Sequence, residues 1–124
     1  MQSIRAAYTL PALLFMTSFA HAAEPAGRTF SIDLNDGRVP ASQRVMKVVK
    51  NDTVRIRASS DASGELHLHG YRLEAKVAPG APSELTFRAT ATGRFALEWH
   101  GNGVAPKTGG HHGTPLASLE VHPR

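Results

Sequence analysis

Thr53-Val54-Arg55-Ile56-Arg57-Ala58 alternates apolar and charged residues without a break. Val54, Ile56 and Ala58 fall on one side of an extended chain, and Arg55 and Arg57 on the other. A period of two over this length is the signature of a strand with one buried face. The rest of the chain repeats the pattern. Upstream, Val45 to Lys50 forms a short run closed by Asn51-Asp52, and Phe30, Ile32 and Leu34 alternate with Ser31 and Asp33 before the turn residues Asn35-Asp36-Gly37. Downstream, Ser59 to Gly64 reads as a loop. Leu66 to Val77 reads as one extended run, with Gly70 marking a bulge or a close approach. Ala78 to Ser83 is a turn cluster. Leu85, Phe87 and Ala89 alternate, Thr92-Gly93 turns the chain, and Phe95, Leu97 and Trp99 alternate again. A Gly-rich loop from Gly101 to about Pro115 precedes a closing strand through Leu119 and Val121.

About seven strands and no helical period predict an all-β sandwich, since each apolar sheet face must be covered by another sheet. The expected core is Ile32, Leu34, Val48, Val54, Ile56, Leu66, Leu68, Leu85, Phe87, Phe95, Leu97, Trp99, Leu119 and Val121. The chain of 124 residues fits one domain. Ahead of it, Arg5, the uncharged stretch Ala6 to Ala20 and the small-x-small triplet Ala20-His21-Ala22 have the order of a secretory signal peptide. The apolar stretch is short for a membrane span, which takes about 20 residues. The expectation is a signal peptide over 1–22, a domain over 23–124, and a periplasmic location.

Composition excludes much. There is no cysteine, so disulfides, thiolate metal sites, Cys nucleophiles and iron–sulfur clusters are out. The formal net charge of +4 is spread among acidic residues, with no basic run of the kind that binds nucleic acid. Ser59, Ser60 and Ser63 form no nucleophile elbow, and Gly101-Asn102-Gly103 is followed by no Lys-Ser/Thr of a phosphate loop. Asp33, Asp36, Asp52 and Asp61 are expected in turns or on exposed faces rather than as a catalytic pair. No enzymatic activity is expected.

The seven histidines are the unusual feature. His67 and His69 stand at i and i+2, so a strand turns both rings to one side, away from Leu66 and Leu68. His100 follows Trp99, and His111 and His112 lie in the Gly-rich loop. Imidazole suits Cu(II), Zn(II) and Ni(II), and an all-nitrogen tetragonal set favours Cu(II). His69 and His100 are the first candidates for ligands, with His111 and His112 next and then His67. Glu98 shares a strand face with His100 and is a candidate oxygen ligand, a support for a ligand, or a partner for a surface Arg. The bland reading stays beside this one: His67 as a solvent-facing strand residue, His69 as a support for the Gly70-Tyr71 corner, and His111-His112 as a polar tract with incidental metal affinity. His122 reads as plain surface.

Val48 to Ile56, Leu66-His67-Leu68-His69-Gly70-Tyr71, the stretch from Pro79-Gly80 to Gly93-Arg94-Phe95, and Gly113 to Val121 occur in an order that resembles cupredoxin-like domains, and among these the EfeO-type cupredoxin-like proteins. The resemblance implies a Greek-key β-sandwich and a copper site at one end. It also marks departures. Trp99 stands where the blue-copper Cys would be, and Met46 is the only methionine after the signal segment, far from the last loop. A blue-copper centre depends on its thiolate, so electron transfer by such a centre is excluded. The expected function is therefore histidine-bound, type 2-like copper for storage, delivery or tolerance, with the metal ion and a periplasmic or membrane metal-transport protein as partners. The alternatives are a metal-free sandwich that docks a periplasmic or membrane protein, and an accessory to iron uptake.

Overall fold

The computed structural model describes residues 26–102 and 114–124. The proposed signal segment and the loop bearing His111 and His112 lie outside the described residues. Eight strands stand among the described residues: β1 Gly27–Leu34, β2 Val45–Val49, β3 Thr53–Ser60, β4 Gly64–Leu68, β5 Leu73–Val77, β6 Ser83–Arg88, β7 Gly93–Gly101 and β8 Thr114–His122. A single 3-10 turn, Ala41–Gln43, joins β1 to β2.

The strands form two sheets. One has the order β1-β3-β6, and the other β2-β8-β7-β4-β5. The pairs β1–β3 and β2–β8 are parallel, and the rest are antiparallel. Parallel neighbours cannot be joined by a hairpin, and the chain passes to the other sheet after β1, β2, β3, β5 and β6. The sandwich follows from the period-two pattern. Val54, Ile56 and Ala58 of β3 meet Leu66 and Leu68, Leu97 and Trp99, Leu119 and Val121, and Met46 and Val48 in one buried cluster. Burying side chains of this size contributes about 1.5–3 kcal/mol each.

The expected core holds with two refinements. Phe87 and Phe95 are half-buried rather than buried. They flank Tyr71 at ring-centroid distances of 4.9 Å each, and this aromatic trio closes one flank of the core. The Tyr71 hydroxyl donates to the Ala91 carbonyl (2.9 Å) and accepts from the Ala91 N–H (3.2 Å), tying two turns together. Val39 and Leu116 join the core from outside the alternating pattern, and Ala89 joins it just past the end of β6.

The run Leu66 to Val77 is two strands, not one. Gly70 (φ 79°) and Arg72 (φ 53°) turn the chain, and β4 pairs with β5. Gly70 is also a close approach, because a Cβ there would collide with the Phe95 ring.

Asp52 corrects its expected place in an exposed turn. It is 2% exposed. Its carboxylate accepts from the N–H groups of Val49 (3.1 Å) and Ala26 (3.3 Å), with Arg28 at 3.5 Å and Arg124 at 3.6 Å. The Val49 N–H, helped by the Ala26 N–H and Arg28, holds the Asp52 carboxyl below its ordinary pKa, although burial works the other way. Asp33 is anchored too. It accepts from Gln43 Nε2 and Ser59 Oγ, at 2.7 Å each, and these bonds lower its pKa.

Candidate metal centre

The outer face of the five-stranded sheet carries the imidazoles. In β4 the inward positions Leu66 and Leu68 are fully buried, so His67 is turned outward. His69 follows directly and extends the ladder, its N–H donating to Ala96 O at 2.9 Å. The rings of His67 and His69 lie with centroids 4.4 Å apart. His100 reaches the same face from β7, and its ring centroid is 6.1 Å from that of His67. The register explains the convergence: Glu65 stands opposite His100, and His67 opposite Glu98 on one side and Glu74 on the other.

Gly64 sets how close these strands come. Gly64 pairs with Gly101 at the end of the β4–β7 ladder. A Cβ on Gly64 would lie 2.5 Å from Trp99 Cζ2 and 2.6 Å from the His100 carbonyl oxygen. Any side chain there would push β4 away from the residue that carries the His100 ring.

Glu98 lies among the imidazoles. It points to the outer face of the sheet yet is only 7% exposed. Its Oε2 is 2.8 Å from His69 Nε2 and 4.0 Å from His100 Nε2. The shorter contact has the distance of a hydrogen bond but not the direction of one, and His69 Nε2 is a buried nitrogen that no hydrogen bond satisfies. Sequence reading held Glu98 as one of several options. Its burial was hidden, because an outward position in a strand ordinarily faces water.

Among the described residues no three His, Cys, Asp or Glu side chains form a ready-made metal-binding group. What exists is one close pair, His69 with Glu98, bordered by His67 and His100. Of the sequence candidates, His67, His69 and His100 come together, while His111 and His112 lie outside the described residues. His122 is exposed at the far end of β8, 3.7 Å from Glu120. An open depression of about 390 Å³ also lies at that far end, lined by Thr92, Gly93, Arg94, Glu120 and His122 among others. Its carboxylate is already engaged by Arg94, which holds the Glu120 carboxyl below its ordinary pKa.

The donor set suits a borderline cation. It offers imidazole nitrogens and a carboxylate, with an unsatisfied buried nitrogen at its centre. A blue-copper set is absent from this place. Trp99 is in the core, and Met46 is buried in β2 opposite Leu119.

The fold is a cupredoxin-like β-sandwich. Among solved structures the chain is similar to a multicopper oxidase (TM-score 0.56, 18% identity, 78% of this chain and 42% of that one). It is also similar to the multicopper oxidase mgLAC (TM-score 0.55, 16% identity, 80% of this chain and 40% of that one). A third similar structure is the copper-containing nitrite reductase of Thermus scotoductus (TM-score 0.55, 21% identity, 80% of this chain and 28% of that one). The chain thus spans less than half the length of each. No protein-family model matches the sequence, and no curated protein matches it.

Proposed function

We propose that this protein is an exported cupredoxin-like domain that binds copper through histidines, in a type 2-like site serving copper storage, delivery or tolerance in the periplasm. The carrying observation is the convergence of His67, His69 and His100 around the buried Glu98, with His69 Nε2 left unsatisfied. A bound cation would give His69 Nε2 the partner that its contact with Glu98 does not supply. His69 and His100 are the principal ligands, His67 borders them, and His111 and His112 are further candidates from the loop. The similar solved structures include multicopper oxidases and a copper-containing nitrite reductase, which supports the choice of metal.

Bound copper would supply a reversible store of a redox-active ion, and no catalysis is assigned to it. The protein's own part is to hold the rings. The β4–β7 register sets the spacing between His67 and Glu98, and the His69 N–H bond to Ala96 fixes the start of the turn. An EfeO-type relationship would bring iron as an alternative cargo. Ferric iron prefers oxygen ligands, and an imidazole-rich site offers few.

Titration of the protein purified from periplasmic extract with Cu(II), followed by EPR, tests the proposal. One nitrogen-coordinated signal at one equivalent is expected, and it is lost in the His69→Ala, His100→Ala double variant. Undiminished binding in that variant would remove these ligands. Capture of a periplasmic protein that persists in chelator would favour the metal-free docking alternative.

A further inference from the structure

Glu98 bears on which oxidation state of copper such a site would hold. The carboxylate is buried at 7% exposure on the face that carries the imidazoles, and its Oε2 is 2.8 Å from His69 Nε2 without hydrogen-bond direction. Two donor atoms bound side by side to one ion, each about 2.0–2.1 Å from it and at a right angle, stand about 2.9 Å apart. The observed separation is ordinary for an imidazole–carboxylate pair and also lets both atoms reach one cation. A buried carboxylate attracts a dication twice as strongly as a monocation at the same distance. Cu(I) is selected by soft thiolate or thioether sulfur. The sequence has no cysteine, and Met46 is buried in β2 opposite Leu119.

We infer that Glu98 is a carboxylate donor that makes this site selective for divalent over monovalent copper. The inference rests on the copper reading, and the experiment separates the two. Cu(II) affinity is measured for the protein and for E98Q by competition with a chromogenic chelator. Cu(I) affinity is measured under ascorbate, which gives one electron to each Cu(II), by competition with a Cu(I)-specific chelator. E98Q keeps an oxygen where Glu98 has one but loses the charge. The expected result is a Cu(II) affinity at least tenfold weaker in E98Q, a changed Cu(II) EPR hyperfine splitting, and Cu(I) affinities that agree within about threefold. E98D, which keeps the charge and withdraws it by one methylene, is expected to fall between the two and carries the comparison should E98Q not fold. Equal Cu(II) affinity and an identical EPR spectrum in E98Q overturn the role of Glu98 alone. Failure of the unsubstituted protein to bind Cu(II) overturns the copper reading with it.

Discussion

The two outer faces of the sandwich treat charge in opposite ways. On the three-stranded sheet, Arg55, Arg57, Glu84 and Arg88 stand in the open. Glu84 bridges both Arg55 and Arg57 at 3.1 Å, and Arg57 above all holds its carboxyl below the ordinary pKa. That face is a solvated patch whose ion pairs contribute little to stability. On the five-stranded sheet, Glu98 is buried with the imidazoles of His69 and His100 beside it, and a neutral imidazole nitrogen is also a metal ligand. The difference teaches that charge type matters less than burial and the chemistry of the partner. A guanidinium answers a carboxylate permanently, whereas an imidazole leaves a place for a cation.

The comparison can be broken most forcefully at the rings. The His69→Ala, His100→Ala double variant should weaken Cu(II) binding by more than about a hundredfold, whereas Arg55→Ala with Arg57→Ala should leave the Cu(II) titration unchanged. A loss in the arginine variant would unite the two faces in one function. Next, Gly64→Ala should destabilise the fold by about 2–3 kcal/mol in a denaturant titration, because the new Cβ meets Trp99 and the His100 backbone. It should also alter the copper EPR spectrum, since it displaces the strand end that carries His100.

Asp52 sharpens the contrast from the core side. Asp52→Asn should cost about 1.5–2 kcal/mol at neutral pH, as two backbone N–H groups lose a charged acceptor. The sign with pH follows from its lowered pKa. The contribution is present above the unfolded pKa, near 4, and is lost as pH falls through the folded value. Urea titrations of protein and variant should therefore converge in acid. The smallest effect belongs to Glu84→Gln, which should leave the thermal midpoint where it is within the resolution of a scan. A large shift there would mean that the arginine face is structurally engaged after all.

Much of this was readable along the chain. Thr53–Ala58 declares its buried face because successive side chains in a strand point to opposite sides, and the same rule puts His67 and His69 together. Asn51-Asp52 declares a turn, and Asn51 does take a positive φ of 76°. The break inside Leu66–Val77 was masked because apolar residues continue on both sides of the hairpin. Val39 gave no periodic signal, since it enters the core from a connection rather than from a strand.

By itself, then, the sequence determined the strand period, the absence of sulfur ligands other than methionine, and the outward turn of His67. These are local properties, written in side-chain chemistry and in alternation at one position after the next. Only the tertiary structure decided that β4 lies between β5 and β7, that His100 and Glu98 therefore come up beside His67 and His69, and that two carboxylates, Glu98 and Asp52, lose their water. Strand neighbours and burial are set by the packing of two sheets across one core, and alternation along a strand carries no record of which strand lies next to it.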